Sequence, residues 1–233
     1  MSAMARTVSS VAVRAANNVE ERAALLLALR QAGVRDISVM RAVENVPRDA
    51  FAPYRFRDLA NRNMMLPIAC GQTIPRPADL ARRLEALRIG RGHRVLEIGT
   101  GSGYAAAVMA QLCREVTTIE RYATLAIEAQ RRLVAQGVTN VRPHHADGIS
   151  LSPAFGLFDR IIVQASVTAR PQALIDLLAP GGVMLYALRV MAPGGQLRER
   201  LIKVDRKEGD EIRETDLGPC HLGAAASGVA RAL

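Results

Sequence analysis

The chain of 233 residues is 49% hydrophobic, 23% charged and 3% aromatic, enough for a real core and incompatible with collagen-like repeats, coiled coil or wholesale disorder. No apolar run approaches the ~20 residues of a membrane span, and Cys70, Cys113 and Cys220 share no short spacing, which excludes a disulfide framework or zinc cluster and suits a reducing compartment. Lys and Arg number 31 against 22 Asp and Glu, a formal net charge of +9 that admits nucleic acid, acidic lipid or an anionic substrate as partner.

Residues 1–16 hold two Arg, no acid and no apolar core of the length a secretory signal needs, so they read as an N-terminal arm. A helix is expected next, capped by Asn17 or Asn18, with Glu20 and Glu21 in its first turn and Gly33 closing it. A second runs from Ile37 to Asn45 with Asp36 as cap, and Pro47 ends it. Residues 46–77 are rich in Pro, Arg, Asn and Met with little periodicity; such a stretch inside a compact chain is usually functional. Pro77 opens a helix through Leu87, ended by Gly90 and Gly92.

From there the pattern alternates. Strands are expected at Arg94 to Ile98, Val116 to Ile119, Val141 to His145 and Arg160 to Gln164. Between them lie a glycine-rich turn with a helix to Cys113, and a helix from Thr124 to Gln136 stopped by Gly137. A helix from Pro171 to Leu178 and a turn at Pro180-Gly181-Gly182 lead into a strand from Val183 to Leu188. Short apolar strands alternating with helices mean βαβ units and a parallel sheet. Residues 197–216 read instead as an antiparallel hairpin at the sheet edge, and Gly223 to Leu233 as a docked or frayed tail. Residues 1–77 then form N-terminal helices and a lid segment on a core at 78–233, together one compact domain.

The segment Leu96-Glu97-Ile98-Gly99-Thr100-Gly101-Ser102-Gly103-Tyr104 follows a strand and opens a helix, so its backbone can turn sharply and approach a ligand. Its spacing is G-x-G-x-G, against G-x-G-x-x-G for the dinucleotide fingerprint. The acid Glu97 in the strand is awkward for pyrophosphate but suits an ammonium group, as in S-adenosyl-L-methionine. Glu120 ends the second strand twenty-one residues past Gly99, where a carboxylate accepts both ribose hydroxyls, with Arg121 beside it. Asp147-Gly148 follows the third strand, within reach of an adenine amino group. Acids at the carboxyl ends of three successive strands define a Rossmann-like class I methyltransferase core. The fold class is α/β: a mostly parallel twisted sheet with helices on both faces, an N-terminal helical extension and antiparallel C-terminal strands.

The acceptor is indicated upstream. Val46-Pro47-Arg48-Asp49-Ala50-Phe51-Ala52-Pro53 and Leu66-Pro67-Ile68-Ala69-Cys70-Gly71-Gln72-Thr73-Ile74-Pro75-Arg76-Pro77, with Leu178-Ala179-Pro180-Gly181-Gly182 later, resemble the protein-L-isoaspartate O-methyltransferase family over about Asp36 to Leu188. The resemblance implies cytoplasmic protein repair, in which the methyl group passes from sulfonium to the displaced carboxylate of an L-isoaspartyl residue and the ester closes to a succinimide. It places Gln72, Thr73 and Ile74 near the reacting centre and the family's serine at Pro75, a residue with neither hydroxyl nor backbone donor. Thr73 can supply a hydroxyl instead, and Arg76 can pair with the acceptor carboxylate. Two further departures are Gln164-Ala165-Ser166-Val167 after strand four and Cys220-His221-Leu222-Gly223 near the end. Other readings of the same core are a different acceptor and a catalytically silent cofactor-binding protein.

His144-His145 point to opposite sides of a strand and His221 lacks ligand spacing, so no metal is expected. Met64-Met65 read as core filling beneath the lid. Eight scattered aromatics supply no stacking platform, which argues against nucleic acid; no membrane and no obligate partner are inferred. The basic surplus falls in residues 1–100, sixteen cationic against nine acidic side chains, and suits a carboxylate acceptor on a protein or peptide.

Overall fold

The structure is a computed structural model and describes residues 20–192 and 194–230. Helix α1 covers 20–31, with Gly33 beyond it at φ 91°; the proposed caps Asn17 and Asn18 lie outside the described residues. Helix α2 (Ile37–Asn45) starts where Asp36 accepts from the Ser38 and Val39 amides, as expected of that cap. The Glu85 carboxylate accepts from the Arg35 and Asp36 amides at 2.8 and 2.7 Å, tying this start to helix α3 (Pro77–Leu87). Helix α3 ends at Leu87 as expected, but its stop is Arg88 rather than the glycines: Arg88 itself takes the left-handed conformation at φ 52°, its amide bonding the Glu85 carbonyl.

The irregular stretch contains a tight ribbon, β1 (Leu66–Pro67) against β2 (Thr73–Ile74), closed by Cys70 and Gly71 at φ 56° and 63°. The main sheet is built from β3 (Arg94–Ile98), β4 (Glu115–Glu120), β5 (Val141–His145), β6 (Phe158–Val167), β7 (Leu178–Met191), β8 (Leu197–Arg206) and β9 (Ile212–Pro219). Their spatial order is β5-β4-β3-β6-β7-β8-β9, the first five parallel and the last two antiparallel. The order reverses between β3 and β6, and that switch point opens the cleft where ligands bind in such sheets.

Period-two alternation divides the core. Val95, Ile162 and Leu185 face α1 to α4 (Tyr104–Ala110), while Leu96, Ile161, Val163, Met184 and Tyr186 join Leu174 and Ile175 on the other face. Helix α5 (Ala123–Ala135) covers β4 and β5. Two expectations are corrected here. The helix after Pro171 is a single turn, α6 (Gln172–Ile175), because Leu178 already pairs with Phe158. Pro180-Gly181-Gly182 is not a turn before β7 but an irregularity within it, with Gly181 at φ 74° and the pairing shifting between Phe158 and Arg160. Strand β6 is also longer than expected and carries its own register shift between Ile162 and Ser166, which spans Gln164.

Candidate active site

The loop after β3 turns at Gly99, where φ is 96° and the amide bonds the Ile119 carbonyl at 2.8 Å. A Cβ there would stand 3.3 Å from Cβ of Gln164. The Gly101 amide donates to Glu120 Oε2 at 2.9 Å, and the Tyr122 amide to its Oε1 at 3.0 Å. Both oxygens are thereby oriented, and each keeps a lone pair for a ligand hydroxyl. Gly148 completes the opposite wall: a Cβ at this position would lie 2.5 Å from Cγ2 of Ile98.

Beneath the loop Glu97 is 0% exposed. Its Oε2 accepts from Thr118 Oγ1 at 2.7 Å, Thr118 meets Thr100 at 2.6 Å, and its Oε1 accepts from Gln164 Nε2 at 3.1 Å. Burial pushes the Glu97 carboxyl up to about 7; the hydrogen bonds from Thr118 and Gln164 oppose the shift, Glu120 adds to it and Arg83 opposes it. The carboxyl therefore lies close to its neutral–ionised balance near neutral pH, and a cation brought beside it would favour the ionised form.

The resulting cavity of about 130 Å³ brings together Gly99, Thr100, Gly101, Ser102, Glu120, Arg121 and Gly148 from the expected set. Glu97, Gly103 and Asp147 are not in its wall. Gly103 instead caps α4. Asp147 accepts from the Ile149 amide at 3.0 Å and from the Gly228 amide at 2.8 Å. The C-terminal segment, unread in the sequence as a site element, crosses the sheet edge here. It bridges Ser166 at Ala224 and Tyr122 at Ala230, Arg121 Nε donates to the Gly228 carbonyl at 3.0 Å, and Ala224 to Ala226 line the cavity.

A second cavity of about 1050 Å³ adjoins the first, sharing Gln72, Thr73, Gln164 and Ala224 with it. Pro75 lines this groove, Ile74 is buried in the core, and Arg76 lines a further cavity of about 380 Å³. Met64 and Met65, expected as filler, are 38% and 45% exposed, and Met65 lines the groove. Deeper in it, Glu199 accepts from Ser166 Oγ and the Leu222 amide, both at 2.6 Å, and pairs with Arg189 at 3.3 Å.

Two residues carry more of the site than their sequence positions suggested. Arg48 is 3% exposed and donates to the carbonyls of Ala60 (2.8 Å), Arg62 (3.3 Å), Met64 (2.8 Å) and Pro75 (2.9 Å), fixing the whole lid segment. Arg83, 5% exposed, lines the groove and donates from Nη1 to Gln164 Oε1 at 2.6 Å. A cation on the apolar face of α3, between Leu80, Leu84 and Leu87, was the signal that could have found it. Among the described residues no cluster of His, Cys, Asp and Glu could hold a metal ion; His144 packs edge-on to Phe155 and His145 bonds the Arg121 carbonyl. No helix among them is long and apolar enough to cross a membrane.

The family model for protein-L-isoaspartate(D-aspartate) O-methyltransferase matches residues 20–226. A protein-L-isoaspartate O-methyltransferase of Rhodopseudomonas palustris (strain BisB5) is 45% identical over 215 residues, 91% of this chain and 96% of the relative. Another from Parvibaculum lavamentivorans is 41% identical over 212 residues, covering 91% and 94%. In architecture the chain is similar to a protein-L-isoaspartate O-methyltransferase of Plasmodium falciparum solved with S-adenosyl-L-homocysteine, with a TM-score of 0.74 at 22% identity and coverage of 87% and 97%. A family match over nearly the whole described chain, and relatives above two-fifths identity along almost their full length, leave one assignment: the chain belongs to the protein-L-isoaspartate(D-aspartate) O-methyltransferase family.

Proposed function

We propose that the protein transfers the methyl group of S-adenosyl-L-methionine to the free carboxylate of L-isoaspartyl residues, a step in the repair of damaged proteins. The observation that carries this reading is the wall shared by the two cavities, Gln72, Thr73, Gln164 and Ala224. A donor on one side of that wall meets an acceptor on the other.

The smaller cavity suits the donor by its chemistry. Glu97 biases it toward a cation, Glu120 offers lone pairs to hydroxyls, and Ile98, Ile119 and Ile149 form apolar walls for a flat base, in space that a Cβ at Gly148 would encroach on. Bound, S-adenosyl-L-methionine supplies an electrophilic methyl group on a sulfonium sulfur. The acceptor carboxylate is ionised at neutral pH, so no side chain has to remove a proton. The protein's contribution is alignment and exclusion of water. Arg48 pins the ribbon that presents Gln72 and Thr73, and the 224–226 segment covers the donor pocket. Three free cysteines support a cytoplasmic setting for the reaction.

The test is labelled methyl transfer to an isoaspartyl peptide and its aspartyl counterpart, with wild type beside Pro75→Ser. Wild type is expected to prefer the isoaspartyl peptide by about tenfold or more, and Pro75→Ser to keep that preference. Equal transfer to both peptides, or no transfer by a protein that binds S-adenosyl-L-homocysteine, sinks the reading.

A further inference from the structure

Arg83 is buried, and no acid among the described residues pairs with it directly. Its Nε donates to the Asp79 carbonyl at 3.2 Å and its Nη1 to Gln164 Oε1 at 2.6 Å. A guanidinium carries five N–H donors, so three remain, and Nη2 makes no hydrogen bond among the described residues. No Asp or Glu among them forms an ion pair with it. Burial holds the group below its ordinary pKa, against the opposing influence of Asp79, Cys220 and Glu97. A buried cation in this condition is costly unless an anion completes its shell.

The place of the side chain says which anion. Arg83 lines both the groove of about 1050 Å³ and the adjoining cavity of about 380 Å³. Its partner Gln164 lines the donor pocket as well as the groove, so the guanidinium stands one side chain away from the reacting centre. Other candidates for carboxylate recognition are less well placed: Pro75 has no donor, and Arg76 lines only the smaller of these two cavities. Glu199, the acid in the groove, is already held by Ser166, Leu222 and Arg189.

We propose that Arg83 binds the acceptor carboxylate through its remaining N–H groups and so selects an ionised carboxylate over the corresponding amide. The inference rests on the methyl-transfer reading above. One carboxylate oxygen gives an electron pair to the new O–CH3 bond while the C–S bond breaks and its pair stays on sulfur; no proton moves. The other oxygen faces Arg83. The ester formed is neutral, so the guanidinium holds product less tightly than substrate.

Calorimetric binding to the full-length protein saturated with S-adenosyl-L-homocysteine tests this, using an isoaspartyl peptide and its α-carboxamide counterpart. Wild type is expected to bind the carboxylate form roughly tenfold or more tightly. Arg83→Met is expected to bind the two alike, and Arg83→Lys to keep only part of the preference because it lacks the planar fork. No preference in wild type overturns the proposal, as does a preference that survives Arg83→Met. Should Arg83→Met not fold, Arg83→Lys decides: a reduced preference supports the assignment and an unchanged one removes it. Methyl transfer is followed in parallel. A wild type that prefers the carboxylate but transfers no methyl leaves Arg83 in place and refutes the reaction instead.

Discussion

Arg48 Nη2 reaches the carbonyl of Pro75 at 2.9 Å across 27 residues of chain, and the same nitrogen holds Met64 at 2.8 Å. One side chain therefore clamps both ends of the segment that carries the β1–β2 ribbon. Arg48→Ala strands four carbonyls, one of them, Pro75, in a residue that lines the groove. A loss of about 3 kcal/mol is expected, which lowers Tm by roughly 6–12 °C for a chain of this size. KM for peptide should rise while S-adenosyl-L-homocysteine affinity holds. Arg48→Lys should rescue little, since one ammonium cannot span these carbonyls. A Tm within the error of wild type would show that the clamp is dispensable.

Glu97 gives the protein a pH signature. Its folded pKa of about 7 lies above the ordinary 4.5, so the fold favours the protonated form. The stability it contributes is complete below about pH 4.5 and is lost as pH rises through 7. A bound ammonium reverses the preference by favouring the ionised carboxylate. Differential scanning calorimetry should thus show a larger Tm increase with S-adenosyl-L-homocysteine at pH 8 than at pH 6. Glu97→Gln should flatten that difference and raise the Tm of the free protein at pH 8. Ligand stabilisation that is independent of pH in wild type would refute this role.

Gly148 admits no side chain, because its Cβ would meet Ile98 Cγ2 at 2.5 Å. Gly148→Ala is expected to cost about 1–3 kcal/mol through overpacking and to weaken S-adenosyl-L-homocysteine binding by about tenfold. Gly92→Ala, with nothing within 4 Å of the added carbon, serves as control and should stay within about 0.5 kcal/mol of wild type. Equal behaviour of the two variants in urea melts and ligand titrations counts against the close-packed wall.

The segment from Gly223 to Ala230 is held against the smaller cavity by main-chain bonds: the Ser166 amide to the Gly223 carbonyl and the Ala225 amide to the Ser166 carbonyl, both 2.8 Å, and the Ala230 amide to the Arg121 carbonyl at 2.7 Å. Truncation after Gly223 removes most of these and frees Asp147 and Arg121. S-adenosyl-L-homocysteine should then dissociate roughly tenfold faster in stopped-flow measurements, with little change in the Tm of the free protein. An unchanged dissociation rate would mean that the segment is not a cover.

Much of this architecture was legible locally. Asp36 caps α2, Pro77 opens α3, and the apolar runs at β3, β4 and β5 begin and end within a residue of where side-chain pattern alone places them. These features depend on neighbours in sequence, and so did the glycine loop and Glu120. The misjudged elements were those where pairing overrules propensity: the helix after Pro171 was cut short by Leu178 joining Phe158, and Pro180-Gly181-Gly182 was absorbed into β7.

By itself, the sequence determined the class of the fold, the glycine turn after β3 and the family, because each is written in contiguous residues. Tertiary structure alone decided which side chains meet. It carried Arg83 from α3 to Gln164 on β6, 81 residues away, and laid the Gly228 amide on Asp147 from the same separation of 81. It also buried one cation, Arg83, in the wall of the groove, where low dielectric strengthens its field. The exposed surplus that makes up most of the net +9 is screened by water and salt.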